Sequence, residues 1–227
     1  MKWQVHKVDE DIWTVESVQK FAGVDFGGRM SVIRLNSGEL FLHSPVKLND
    51  QLTSDLNEIG EVKYVIAPNK FHHLHVVDYV DKYPNAQVWG AKGLAKKRKD
   101  IRFTAEFDEQ DSLNLGDEIL YEVFKGIPMF NEVVFYHPKS KTVLFTDIVF
   151  NVASTNSLSE KFYAWAEGVY KNPSVPRLVR LLIRDRKKAR ESADKILSWD
   201  FDRVSVTHRH IIETGGKEIV RRAFEKI

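Results

Sequence analysis

The stretch Tyr64-Val-Ile-Ala-Pro-Asn-Lys-Phe-His-His-Leu-His75 decides how the rest of the chain is read. A β-branched apolar run ends at Pro68 and empties into His72, His73 and His75. That is the pattern of a buried strand that stops and releases polar side chains at its end. A second such place is Asp202-Arg-Val-Ser-Val-Thr-His-Arg-His210, so five of the eight histidines lie just beyond two strand-like runs. Strand ends are where α/β proteins put their chemistry. Neighbours on a strand face opposite sides, so His72 and His73 can serve one ion only from a loop or a helix start.

Before this stretch, Leu48, Leu52, Leu56 and Ile59 form a helical stripe that Gly60 stops. Further back, Met30–Leu35 and Glu39–His43 flank Asn36-Ser-Gly38 as a hairpin, and residues 3–8 and 12–18 alternate apolar and polar. After it come a short helix from Val76 to about Tyr83-Pro84, a strand at Gln87–Trp89 and a basic helix at Gly93–Lys99. Strands return at Leu120–Phe124, Val133–Tyr136 and Thr142–Asp147, the last two joined by His137-Pro-Lys-Ser140, where His137 is expected at the surface. Residues 158–198 read as helical, divided at Pro173 and Pro176, with Arg177–Ser198 as one long segment. A strand over 202–207 and a helix over 217–227 close the chain. The order implies two sheets packed face to face with helices outside.

Composition narrows the chemistry. At 227 residues and 43% hydrophobic, the chain can bury a full core and is expected to be one domain over 1–227. It has no cysteine, which removes disulfides, thiolate ligands and a cysteine nucleophile. A metal would have to be held by histidine, carboxylate, backbone or water. The 29% of charged residues cancel to +2, so no long-range field points to nucleic acid. Two basic runs, Lys96–Lys99 and Arg177–Arg190, lack interleaved aromatics, and in the second Leu178, Leu181, Leu182 and Ala189 suggest an apolar stripe with arginines outside. Both read as solvated faces, with neither nucleic acid nor membrane expected as partner. No stretch has the length of a signal peptide core or a membrane span, so a cytoplasmic location is expected. No Ser-His-acid set or phosphate-cradling loop appears, and Gly23-x-x-x-Gly27-Gly28 has the wrong spacing for a dinucleotide fingerprint.

The run from Ala67 to Leu74, the helix after it and the turn Tyr83-Pro-Asn-Ala-Gln-Val-Trp89 resemble the metal-binding loop region of the metallo-β-lactamase fold superfamily. Leu144-Phe-Thr-Asp147 is similar to the strand whose final Asp bridges two metals there, and Val204-Ser-Val-Thr-His208 to the strand that delivers the last histidine. More narrowly, Arg29-Met30, Leu42-His-Ser-Pro45, Ala67-Pro-Asn69, Trp199-Asp-Phe-Asp-Arg203 and Glu213-Thr-Gly-Gly resemble a branch of unestablished function. The resemblance implies a four-layer αβ/βα sandwich of two mixed sheets with outer helices, and a helical insertion at about 153–198 that covers the site. Tyr163, Trp165 and Tyr170 of that insertion could line a pocket or simply pack.

The family loop reads His-x-His-x-Asp-His, and this chain departs from it. The two leading histidines fall on Pro68 and Lys70, the Asp on His72 and the last histidine on His73; a further histidine falls on Phe130, and an early Asp on His43. One metal position has thus lost all its histidines, and Lys70 would place a positive charge there. The other keeps a competent side chain throughout. The resemblance implies one metal, zinc, iron or manganese, held by His72, His73, Asp147 and His208. Lys70 and Asp147 would be catalytic, with His43, His75 and His210 behind the ligands. Two functions follow from this set: a mononuclear metallo-hydrolase or oxidoreductase acting on a small molecule, or a metal-free, inactive or ligand-binding relative whose histidines form a polar cluster.

Overall fold

The computed structural model describes residues 5–21, 24–108 and 113–227. Trp3 and Gln4, which begin the first alternating run, and Gly23 lie outside them. The first sheet has seven strands in the order β1-β2-β5-β6-β7-β8-β9. These are β1 (Val5–Asp9), β2 (Ile12–Ser17), β5 (Gly28–Arg34), β6 (Glu39–His43), β7 (Glu61–Ala67), β8 (Gln87–Ala91) and β9 (Ala105–Phe107), while β3 (Lys20–Phe21) and β4 (Val24–Asp25) pair separately. It is antiparallel from β1 to β6 and parallel from β6 to β9. The second sheet runs β10 (Leu120–Val123), β11 (Val133–His137), β12 (Thr142–Phe145), β13 (Arg203–Val206), with only β12 and β13 parallel.

Period-two alternation welds the sheets together. On β11, Val133 and Phe135 join the apolar cluster of the first sheet, while Val134 and Tyr136 face the other way. Helices α1 (Asp50–Ile59) and α2 (Val76–Lys82) pack outside the first sheet, beyond which α3 (Leu94–Lys97) is a single turn. On the outside of the second sheet, α6 (Arg186–Leu197) and α7 (Gly216–Phe224) bury Ile196, Val220 and Phe224. The result is the four-layer sandwich that the resemblance implied.

Three expectations need correction. The segment Arg177–Ser198 is two helices, α5 (Arg177–Leu181) and α6, because the Asp185 side chain accepts from Lys188 N and starts a new helix. Leu178 and Leu181 do not belong to a buried stripe: they are 50% and 82% exposed. His137 is buried at the end of β11, where its Nδ1 shares a 2.7 Å hydrogen bond with the Ser140 hydroxyl. The turn folds back over the ring, which composition could not reveal.

Candidate metal centre

Parallel pairing of β12 with β13 sets Phe145 opposite Val206. The residues two positions beyond each strand, Asp147 and His208, therefore emerge side by side. His72 arrives from the loop after β7, whose end is tied to β11 by Val133 N donating to Pro68 O. His72, Asp147 and His208 are buried, and each offers a ligand atom such that all three atoms lie within 4.8 Å of one another. His72 Nε2 is 3.4 Å from Asp147 Oδ2, and His208 Nε2 is 3.2 Å from Asp147 Oδ1.

The tautomer of His208 gives these distances meaning. Its Nδ1 lies 2.9 Å from the Gly27 carbonyl, which can only accept, so Nδ1 carries the hydrogen. Gly27 presents that carbonyl from a left-handed turn, φ 66°, that its missing side chain permits. On a neutral ring the Nε2 lone pair then faces a carboxylate oxygen at 3.2 Å. Two acceptors at that separation require a cation between them, either a proton or a metal. Bonds of about 2.0–2.2 Å to one tetrahedral ion place ligand atoms roughly 3.3 Å apart, so the donor set fits a metal. Burial alone would raise the Asp147 carboxyl, but positive charge on the rings of His72 and His208, in the protonated alternative, holds it below its ordinary value.

The support around these side chains is extensive. The Ser44 hydroxyl shares a 2.9 Å hydrogen bond with His72 Nδ1 from a left-handed backbone, φ 58°. Asn69 donates to Asp147 Oδ2 (2.5 Å) and to Thr146 Oγ1, and its own carbonyl oxygen accepts from Phe71 N and His72 N. The buried Glu132 carboxylate accepts from the backbone N–H of Thr146, Asp147 and Ile148 at 2.7, 2.7 and 3.0 Å. Burial and the Asp147 charge push Glu132 up to about 7, against the pull of those amides. Arg29, also buried, donates to Val206 O and Arg209 O on either side of His208. Sequence reasoning assigned no site role to Ser44, Asn69 or Glu132, and nothing marks Glu132 in the sequence. For Ser44, Asn69 and Arg29 the signal was their place in the resembling motifs.

Other expected residues lie elsewhere. His73, expected as a ligand, is outside the group: Arg98 donates to its Nδ1 at 2.7 Å. Burial, then the Lys97 and Arg98 charges, lower the His73 pKa to about 4, and the same charges oppose a cation there. The Lys70 ammonium, expected near the reacting centre, donates to Pro128 O at 2.9 Å. His75 lies beside Asp78 at 3.7 Å, and His210 Nδ1 accepts from Ala153 N at 3.3 Å, bracing the 151–154 segment. His43 sits beneath His72 against Phe135, with its Nε2 unpartnered; burial and His72 lower its pKa to about 3. Over His208 lie Phe150, stacked at 4.7 Å, and Phe26, which in turn meets Tyr163 of α4 (Leu158–Glu167) edge-on at 4.7 Å. Burial, then Glu167 and Asp147, push Tyr163 up to about 12. Trp165 points outward, and Tyr170 packs at the edge of a small cluster with Lys161 and Lys171 over its ring.

The model of one family, described as a domain of unknown function (DUF4336), matches residues 9–159. The chain belongs to the DUF4336 family. Among solved structures it is similar to a metallo-β-lactamase from Pontibacter korlensis, at 13% identity over 99% of both chains with a TM-score of 0.68. It is similar to the mono-zinc form of the metallo-β-lactamase FIM-1 from Pseudomonas aeruginosa, at 10% identity over 100% of this chain and 96% of that one, TM-score 0.63. It also resembles the metal-soaked Flv1 flavodiiron core from Synechocystis sp. PCC6803, at 13% identity over 99% of this chain and 60% of that one, TM-score 0.69. A search of curated proteins found no match. The fold is therefore the metallo-β-lactamase fold, with a His/Asp/His group that could hold a metal.

Proposed function

We propose that this DUF4336 protein is a metal-dependent hydrolase-like enzyme with a single-metal centre at His72, Asp147 and His208. The observation that carries the reading is the lone pair of His208 Nε2 aimed at Asp147 Oδ1 at 3.2 Å while Nδ1 is committed to Gly27 O. A divalent ion held there would supply Lewis-acid activation of a water or a substrate oxygen. The chain's own residues do the rest. Gly27 O and the Ser44 hydroxyl orient the two rings, and Asn69 steers one oxygen of Asp147. Glu132 fixes the backbone from which Asp147 projects. Phe26 and Phe150 keep one side of His208 dry, which strengthens every charge interaction at the centre. Zinc, iron and manganese are all compatible with two histidines and a carboxylate, and a small-molecule substrate suits so enclosed a site.

A second reading has its own observation: the three residues are only 6–8% exposed, and a proton on His208 would satisfy the same geometry. In that case the group is a buried ion pair in a non-catalytic relative. Elemental analysis of untagged protein separates the two, with wild type compared with Asp147→Ala and His208→Ala. Near one equivalent in the wild type, falling about a hundredfold in affinity in both variants, supports the enzyme. Folded wild type without metal after incubation with zinc, iron or manganese overturns it.

A further inference from the structure

Helix α4 has two faces with opposite tasks. Glu160, Tyr163 and Ala164 point inward, where Glu160 is buried against Arg209 and Tyr163 meets Phe26 above His208. Leu158, Phe162 and Trp165, spaced i, i+4 and i+7, share the other side and are 83%, 70% and 67% exposed. Helix α5 joins this surface. The Arg177 guanidinium donates to Ala166 O and Leu178 N donates to the Glu167 carboxylate, so exposed Leu178 and Leu181 begin where α4 ends. Large apolar side chains standing this far out on neighbouring helices mark a surface that meets something.

The charge beside them indicates what. Residues 158–190 hold nine Lys and Arg against three Asp and Glu, a surplus of six in a chain whose net charge is +2, leaving the remainder at −4. The three acids are engaged: Glu160 with Arg209, Glu167 with Leu178 N, and Asp185 as the cap of α6. Arg184, Arg186 and Lys187 are exposed. Two copies meeting symmetrically through this face would bring surplus against surplus, which disfavours a second copy as the occupant. Protruding Leu, Phe and Trp flanked by Lys and Arg match the way a helix lies in the headgroup region of an anionic bilayer. No helix among the described residues is long and apolar enough to cross a membrane, so such binding would be peripheral.

We propose that the outer face of α4 and α5 docks the protein on an anionic lipid surface, with Leu158, Phe162 and Trp165 inserted and the exposed Arg184, Arg186 and Lys187 over the headgroups. This revises the solvated-face reading of the basic run, and it stands independently of the metal centre. Docking there would place the cover of the site, rather than its far side, against the membrane.

The test is flotation of the full chain with vesicles of phosphatidylcholine alone and of phosphatidylcholine mixed with phosphatidylglycerol. Wild type is expected to float only with the mixed vesicles, and less at high salt. Phe162→Ser/Trp165→Ser and Arg184→Glu/Lys187→Glu should each weaken partitioning about tenfold or more, with unfolding midpoints and metal content unchanged. Three results overturn the proposal: wild type that stays unbound to the mixed vesicles, variants that float as well as wild type, or a dimer that Phe162→Ser/Trp165→Ser turns into a monomer. The last would assign the face to a second copy.

Discussion

The loop after β7 has two sides that are built in opposite ways. On one side His72, Asp147 and His208 keep ligand separations suited to an ion, each held by at least one buried hydrogen bond. On the other, Pro68, Lys70 and Phe130 are held by ordinary packing and backbone pairing. Phe130 packs at a tilt against Phe71 at 5.2 Å, its carbonyl accepts from Lys70 N, and the lysine ammonium turns to Pro128 O. The difference teaches that apolar contact and backbone pairing hold a loop without any cation. A buried cluster of ligating side chains is expensive unless a cation neutralises it.

Four changes sharpen or break this comparison, beyond the metal analysis with Asp147→Ala and His208→Ala described above. At neutral pH the largest expected effect is on Glu132→Gln. An amide cannot accept from three backbone N–H groups as a carboxylate does, so denaturant unfolding should show a loss of about 3 kcal/mol; an unchanged midpoint would mean the Thr146–Ile148 amides are satisfied otherwise. Phe130→Ala should cost about 2 kcal/mol through lost packing on Phe71 while leaving metal content at the wild-type level. If metal is lost as well, the two sides are still coupled.

The third concerns acid. His43 is neutral in the fold, with a pKa lowered to about 3 from 6.5, so the unfolded chain binds more protons in between. Stability from this ring is complete above about pH 6.5 and is lost as pH falls toward 3, at up to about 1.4 kcal/mol per pH unit. Unfolding curves in chelator between those limits should flatten in His43→Leu; equal slopes would show the ring is hydrated. The smallest effect is expected from Ser44→Ala, which removes one orienting bond to His72 and should weaken metal binding about tenfold without unfolding the protein. Competition with a chromophoric chelator reads it directly.

Much of this was legible beforehand because it depends on local pattern. The strand-to-loop break at Pro68, the hairpin at Ser37-Gly38 and the helical stripe of Leu52 and Leu56 follow from period and turn chemistry alone. His72, Asp147 and His208 were candidates by residue type at strand ends. His73 misled because sequence spacing cannot say which of two adjacent rings a loop turns inward. Arg98, twenty-five residues away, settles that by taking its Nδ1. His137 misled in the same way, since a turn that looks exposed can fold over its own first residue.

The sequence by itself determined the strands, the helices and the stock of possible ligands, because those follow from side-chain shape and hydrophobic period within a few residues. Only the tertiary structure decided which ligands meet. That choice rests on the parallel register of β12 with β13, on Glu132 reaching across to the amides of Thr146, Asp147 and Ile148, and on a glycine carbonyl 181 residues away from His208. The sequence also contained the basic run and the apolar residues of 158–190. Whether those apolar residues pointed into the core or into solvent depended on which face of α4 the buried Glu160, paired with Arg209, drew inward.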